Sequence, residues 1–237
     1  MLNGKTALIT GGSKGIGLGI AEAMIAHGMN VIITSRTEEE LIAVTAELND
    51  KGPGSAIGIA SDVRKMQHLE KAVTAATQTW GKLDVVIANA GVGHFASIEE
   101  MTSDQWQDVV DINLTGVFNT VKASIPALKE SEGYIMTIAS LAGTNFFAKG
   151  AAYNASKFGV VGFTQAVMLD LRDAGIKVTT IMPGSVATHF NDHTPTDADA
   201  WKIQPEDIGQ MVIDLLKMHP RTLPSKIEVR PSVPAKK

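Results

Sequence analysis

The feature that most constrains the fold is a regular alternation of short apolar runs with longer segments of helical period. Seven runs have strand length, at residues 6–10, 30–34, 56–60, 84–88, 134–138, 177–182 and 226–230. The first six are apolar almost throughout, which indicates strands buried on both faces. Strands that alternate with helices predict an α/β fold: one Rossmann domain over residues 1–237, with a doubly wound, seven-stranded parallel sheet flanked by helices. The more polar seventh strand suits an edge.

Start signals mark several of the predicted helices. Thr37 is followed three residues later by Glu40, and Thr102 by Gln105, which is the spacing of a capping box. Pro205 can occupy the first turn of the last helix, where a missing N–H has no cost.

Composition and charge exclude several classes of function. The net charge of −4 predicts no nucleic-acid partner, and the absence of cysteine excludes disulfides and thiolate metal sites. No secretion signal precedes the first strand, and no apolar run approaches the roughly 18 residues that span a bilayer. We therefore expect a cytoplasmic protein without a membrane partner. His94, His189 and His193 lie in loops without a ligand motif, so we expect no metal.

A glycine-rich turn joins the first strand to the first helix. It reads Thr10-Gly11-Gly12-Ser13-Lys14-Gly15-Ile16-Gly17. Such a turn lets the backbone approach a pyrophosphate, to which the helix N-terminus offers free N–H groups and a partial positive charge. The position predicts a dinucleotide site. Gly19, further along, is expected to allow close packing of the helix on the sheet.

Tyr153 and Lys157 form a second pattern, Tyr-Asn-Ala-Ser-Lys, on a predicted helix. Residues four apart share a helical face, so the ammonium lies one turn from the phenol. A free tyrosine has a pKa near 10. A nearby ammonium, or the positive ring of an oxidised nicotinamide, favours the phenolate and lowers that pKa, which suits general acid–base catalysis.

Together, the turn T-G-x-x-x-G-x-G, the later Asn89-Ala90-Gly91 and the Tyr-x-x-x-Lys pattern resemble the classical short-chain dehydrogenase/reductase family along essentially the whole chain. The resemblance implies an oxidoreductase that interconverts a ketone or aldehyde and an alcohol. It assigns the acid/base role to Tyr153 and the binding of the nicotinamide ribose to Lys157. It also implies that Ser140 contacts the substrate oxygen and that Asn113, in a long helix beginning near Thr102, holds a relay water.

The end of the second strand indicates which cofactor is bound. No carboxylate follows until Glu38, whereas Arg36 and Ser35 can contact a 2′-phosphate, and Lys14 adds a second cation. In the family these basic positions go with NADP(H), the cofactor we expect. The resemblance extends the cofactor site to further residues, namely Gly11, Ser13, Gly15, Ile16, Gly17, Asp62, Val63, Asn89, Ala90, Gly91, Pro183, Gly184, Val186 and Thr188.

The family places its substrate lid where this chain has the short polar segment 188–204. A small lid favours an open pocket for small or medium carbonyl compounds, which His94, Phe95 and the pair Phe146-Phe147 either line or merely pack near. Family members are usually homo-oligomers, dimers or tetramers, built on the helices expected near 102–130 and 151–173.

Two other functions stay open on the sequence alone. One is 3-oxoacyl-carrier-protein reduction, although relatives with that role commonly end in Asp-Gly-Gly after the last strand, where this chain runs from Glu228 to Pro234 without it. The other is a non-catalytic NADP(H)-binding regulator on the same fold.

Overall fold

Seven parallel strands form one sheet in the computed structural model, which describes residues 2–233. Met1 and residues 234–237, including Pro234 of the C-terminal segment, lie outside the described part. The strands are β1 (Thr6–Thr10), β2 (Asn30–Ser35), β3 (Ser55–Ala60), β4 (Val85–Ala88), β5 (Tyr134–Ile138), β6 (Lys177–Pro183) and β7 (Lys226–Val229). Their order is β3-β2-β1-β4-β5-β6-β7, with β7 at an edge as predicted.

Helices cover both faces of this sheet, which confirms the predicted fold class. They are α1 (Gly15–Ala26), α2 (Glu38–Lys51), α3 (Met66–Trp80), α4 (Ser103–Val110), α5 (Gly116–Ser131), α6 (Ala151–Leu171) and α7 (Pro205–Lys217). Alternate strand residues divide the core: Ile9 and Ile33 pack with α1, α2 and α7, whereas Leu8 and Ile32 pack with α3, α5 and α6. This burial on both faces explains the continuous apolar runs.

All three predicted helix starts are confirmed, but only one of the two predicted capping boxes forms. Thr102 and Gln105 form a reciprocal capping box, and Pro205 is the first residue of α7. Thr37 precedes α2 but makes no side-chain cap. The Glu40 carboxylate accepts a hydrogen bond from the Ser13 hydroxyl at 3.1 Å, so a partner distant in sequence occupies it.

The long helix expected to begin near Thr102 contains a π-helical turn. Residues Asp111–Thr115 adopt this wider turn between α4 and α5, and Asn113 lies within it. Such single-turn π-bulges occur often at functional sites.

Gly19 also differs from expectation. A Cβ there would lie 2.6 Å from the Pro205 carbonyl carbon, so the glycine allows α1 to approach α7 rather than the sheet. Within residues 2–233, no helix combines the length and apolar character needed to cross a membrane.

Candidate active site

The glycine turn lies at the carboxyl edge of the sheet, between the ends of β1 and β4. Gly11 and Gly15 have φ values of +64° and +56°, which side-chain-bearing residues rarely adopt. The Asn89 amide group donates to the carbonyls of Thr10 (2.9 Å) and Gly11 (3.0 Å). A Cβ on Gly17 would lie 2.6 Å from that same amide nitrogen. Asn89 therefore braces the turn, and Gly17 lets helix α1 start directly against it.

The N-terminus of α1 can bind an anion. No acidic residue lies in its first turn, and the preceding Lys14 makes no side-chain cap. The first amides of a helix have no partner within it, so these N–H groups are donors for a bound ligand. The turn thus fits the pyrophosphate of a dinucleotide.

Basic side chains flank this turn together with one carboxylate. Lys14 and Arg36 are exposed, and neither takes part in an ion pair with another described residue. The Ser35 hydroxyl turns to the backbone of Thr37, at 3.1 Å from its amide. Glu40 reaches the same turn through Ser13. Sequence reasoning missed this carboxylate, because the capping-box pattern assigned it to the start of α2.

Asp62 is already engaged by a neighbouring cation. The Nε atom of Arg64 donates to both carboxylate oxygens, at 3.0 and 3.1 Å, and its Nη2 atom donates to one of them at 2.7 Å. The Arg64 amide adds a bond of 3.0 Å. These hydrogen bonds hold the pKa of Asp62 below its usual value. Next to it, Val63 is buried and its carbonyl accepts from the Asn119 side chain. An acceptor role of Asp62 toward adenine stays a prediction and would have to share the carboxylate with Arg64.

Tyr153 and Lys157 lie one turn apart on α6, as the spacing predicts. The Lys157 ammonium is 5.7 Å from the centre of the Tyr153 ring and donates to the Ile138 carbonyl at 3.0 Å. Ser140, just beyond β5, lies beside them; its hydroxyl accepts from the Ala142 amide at 3.1 Å. Ser140 and the Tyr-Lys pair thus come together at the end of β5.

Burial dominates the acidity of both groups. It raises the pKa of the Tyr153 hydroxyl to about 12, and the Ser140 side chain opposes this only in part. It lowers the pKa of the Lys157 ammonium to about 8. The expectation that the lysine by itself lowers the pKa of the tyrosine is therefore wrong for the chain alone. Loss of water around each group is the largest cause of both shifts.

Asn113 is fully buried and linked to the loop after β4. Its side chain accepts from the Val92 amide (2.8 Å) and donates to the Val92 carbonyl (2.9 Å). A Cβ on Gly91 would lie 3.3 Å from the Asn113 oxygen and 3.7 Å from the Lys157 nitrogen. Asn113, Gly91 and Lys157 are thus neighbours, although the Asn113 side chain does not itself bond to the ammonium.

The segment after β6 closes the other side of the site. The Ser140 hydroxyl donates to the Pro183 carbonyl at 3.4 Å, and Gly184 continues the ladder with β7. Val186 is half-buried and pairs with Ile203. A Cβ on Gly15 would lie 3.2 Å from the Thr188 methyl group, so Thr188 faces the glycine turn.

The segment 188–204 is folded over the tyrosine. The Phe190 ring lies 5.6 Å from the Tyr153 ring, so an aromatic side chain of this segment packs beside the tyrosine; the open pocket expected from a short lid stays a prediction. Further along, the Asp199 carboxylate accepts from Lys202 (2.6 Å), His193 (2.8 Å) and the Thr196 amide (2.9 Å). These bonds fix the segment and hold the pKa of Asp199 well below its ordinary range, the Lys202 bond being the largest cause.

Each of the three loop histidines has a different environment. His94 bonds to Asp108 at 3.0 Å, His193 bonds to Asp199, and His189 is exposed. Among the described residues, no three histidine or acidic side chains converge as metal ligands would.

Comparison with known proteins supports one family. The family model described as short chain dehydrogenase matches residues 5–199. D-beta-hydroxybutyrate dehydrogenase of Cupriavidus necator is 38% identical over 190 residues, which cover 79% of this chain and 73% of that protein. Trans-4-hydroxycyclohexanecarboxylate dehydrogenase of Sinomonas cyclohexanicum is 38% identical over 189 residues, 78% of this chain and 73% of that protein.

A solved structure agrees over nearly the full length. The alcohol dehydrogenase from the archaeon Thermococcus sibiricus, complexed with 5-hydroxy-NADP, superimposes with a TM-score of 0.91 at 26% identity. The match covers 98% of this chain and 99% of that one.

Proposed function

The chain belongs to the short-chain dehydrogenase family, and from this premise we propose that it is an NADP(H)-dependent oxidoreductase that interconverts a ketone or aldehyde and an alcohol, with Tyr153 as general acid/base. The observation that carries the proposal is the grouping of Ser140, Tyr153 and Lys157 at the sheet edge that also holds the glycine turn. A regulator that only binds the nucleotide has no need of this proton-transfer set.

The side chains of the site have separate tasks in reduction. The Ser140 hydroxyl donates a hydrogen bond to the carbonyl oxygen and fixes it beside Tyr153. Tyr153, whose raised pKa keeps it protonated at neutral pH, gives its proton to that oxygen. When bound, the nicotinamide supplies the hydride to the carbonyl carbon. Lys157 holds the ribose and replaces the proton on Tyr153, with Asn113 ordering the water that supplies it.

The cofactor assignment rests on the turn and on the cations beside it. We assign the pyrophosphate to the amides of residues 15–17 and the 2′-phosphate to Arg36, Lys14 and Ser35. Arg36 is exposed without an acidic partner among the described residues, so its guanidinium is available for a phosphate. The structure of the Thermococcus sibiricus relative, solved with an NADP derivative, supports this choice.

Replacing Tyr153→Phe tests the catalytic assignment. We expect turnover of NADPH with a ketone to fall by about 10²–10⁴-fold while the Kd for NADPH changes little. Tyr134→Phe is a matched control. Tyr134 is the other of the two tyrosines and lies at the start of β5, where its hydroxyl bonds to Thr179 at 2.7 Å. Turnover retained in Tyr153→Phe would overturn the assignment.

Replacing Arg36→Asp tests the cofactor assignment. The carboxylate would repel a 2′-phosphate and could accept from a ribose hydroxyl, so the ratio of the Kd values for NADP⁺ and NAD⁺ should shift towards NAD⁺. An unchanged ratio would refute the role of Arg36.

We also propose that the chain acts in the cytoplasm, that it folds as one domain, and that residues 188–204 are its substrate lid.

We propose further that the chain forms a homo-oligomer. Helices α5 and α6 carry exposed apolar side chains that a partner subunit would cover: Phe118, Phe158 and Leu169, the last 55% exposed. Light scattering should give the mass of a dimer or tetramer, and a monomer at micromolar concentration would refute the assembly.

A further inference from the structure

Three phenylalanine rings cluster beside Tyr153, each from a different loop at the carboxyl edge of the sheet: two of them contact the Tyr153 ring, and the third contacts one of these two. Phe95 follows β4, Phe147 lies between β5 and α6, and Phe190 follows β6. The Phe95 ring is 5.5 Å from the Tyr153 ring, 5.7 Å from Phe147 and 6.3 Å from Phe190. We call Phe95, Phe147 and Phe190 the aromatic wall.

Glycines hold two of these rings in place. A Cβ on Gly93 would lie 2.7 Å from the Phe190 ring, and one on Gly150 would lie 2.6 Å from the Phe147 ring. Each ring is thus seated against backbone that only a glycine leaves open. Both rings therefore lie directly against the backbone of a glycine.

The aromatic wall still exposes much of its surface. Phe95, Phe147 and Phe190 are 38%, 47% and 36% exposed. Exposed apolar surface that groups around a reactive hydroxyl is a place where a ligand gains free energy by covering it. A substrate whose carbonyl oxygen reaches Tyr153 would place its substituents beside Phe95 and Phe190, the two rings that contact the Tyr153 ring.

The charges around the wall do not favour an anionic substrate. No lysine or arginine among the described residues lies over any of the three rings. His94, next to Phe95, is paired with Asp108, and the Lys157 ammonium is turned to the Ile138 carbonyl. The flanking Lys149 and His189 are exposed, where an ion pair contributes little. A carboxylate placed against the wall would lose its hydration without gaining a buried counter-ion.

We propose that the aromatic wall selects neutral carbonyl compounds that carry an aryl or alicyclic ring beside the carbonyl group, and that it discriminates against short carboxylates. This inference rests on the proposed carbonyl reduction. It adds the substrate class: the ring of the substrate packs against Phe95, Phe147 and Phe190 while its oxygen binds Ser140 and Tyr153.

Matched pairs of substrates test the proposal through NADPH oxidation. Acetophenone against acetone isolates the ring, and ethyl acetoacetate against acetoacetate isolates the charge. We expect kcat/KM to be about tenfold or more higher for the first member of each pair, as burial of a ring or avoidance of an unpaired charge implies.

Variants locate the effect on the wall. Phe95→Leu and Phe190→Leu should lower kcat/KM for acetophenone by about fivefold, mainly through KM, and leave acetone within about twofold, because the lost stacking concerns only the ring. Phe146→Leu is the matched control. Phe146 lies in the same loop as Phe147 but is 83% exposed and stacks on Phe158 of α6, so both substrates should keep their rates.

Binding without turnover gives a second measurement. Calorimetry of the Tyr153→Phe variant with NADPH should show acetophenone binding and weaker or no binding of acetoacetate. Equal kcat/KM within each pair, a preference for acetoacetate, or equal losses on both substrates in the wall variants would overturn the substrate class while leaving carbonyl reduction intact. Absence of any carbonyl reduction despite NADPH binding would instead overturn the proposed function, and the inference with it.

Discussion

Because Lys157 is buried, we expect the folded protein to be less stable at neutral pH than a variant with a neutral side chain at this position. The residue is only 4% exposed, and burial lowers the pKa of its ammonium from 10.5 to about 8. That difference corresponds to about 3 kcal/mol of cost for keeping the charged form in the folded protein below pH 8. One compensation is the hydrogen bond to the Ile138 carbonyl, whose loss costs about 1–3 kcal/mol.

Lys157→Met keeps the length of the side chain and removes the charge. At pH 7 the variant should be as stable as the parent chain or up to about 2 kcal/mol more stable, since the two contributions oppose each other. Between pH 8 and 10.5 the folded parent releases the lysine proton while the unfolded parent retains it. The parent therefore gains stability relative to the variant as pH rises, by about 1.4 kcal/mol per pH unit.

Urea unfolding of the nucleotide-free proteins at pH 7, 8, 9 and 10 measures this difference. Lys71→Met, in the middle of α3 where the lysine is exposed, is the matched control, and its difference from the parent should stay level. Ionisation of Tyr153 affects parent and variant alike. If the difference in unfolding free energy between Lys157→Met and the parent does not change with pH, the claim that burial of the ammonium costs stability is refuted. The claim that burial sets the pKa values of this site is then refuted as well.

Three further predictions concern the glycine turn and the segment 188–204. Glu40→Gln removes the carboxylate bound to Ser13 beside the proposed phosphate site. The Kd for NADP⁺ should therefore fall by about threefold while the Kd for NAD⁺ stays unchanged, as titration calorimetry at low salt would show. An equal change in both Kd values would refute this prediction. Gly17→Ala should destabilise the fold by about 1–3 kcal/mol in urea unfolding, because the new methyl group meets the braced turn; full stability would mean that the turn is loose. Asp199→Asn, which weakens the bonds to Lys202 and to the neighbouring loop, should speed proteolysis within residues 188–204 without changing the NADPH Kd; an unchanged cleavage rate would contradict this role.

The sheet was predictable because its signal is local. A strand buried on both faces must be apolar along its length, so runs such as Thr6–Thr10 and Tyr134–Ile138 mark their own boundaries. The Thr102 capping box was equally local, since both partners lie within one helical turn. The same reasoning failed at Thr37, where the Glu40 side chain binds Ser13, a residue of another element.

Two of the missed features of the site depend on contacts between distant segments, and a third is local. Asn113, inside the π-helical turn, bonds to the loop after β4, a contact that no spacing in the sequence reveals. The Phe190 ring contacts Tyr153 and lies against Gly93, both of them distant in sequence. The ion pair of Arg64 with Asp62 could have been predicted from the sequence, since the residues are two apart, but the resemblance assigns Asp62 a contact with adenine instead.

The raised pKa of Tyr153 gives the site a direction that depends on its partner. Beside a neutral reduced ring, a phenol with a pKa of about 12 keeps its proton and is ready to donate it to a carbonyl oxygen. Beside a positively charged oxidised ring, the same phenol loses its proton more easily, and in a site with little water the charge acts strongly. A raised pKa makes the phenolate a stronger base but leaves less of it at neutral pH. In the proposed reaction, the protonation of Tyr153 would therefore follow the charge next to it, so that the group would act as an acid when hydride is delivered and as a base when hydride is taken up.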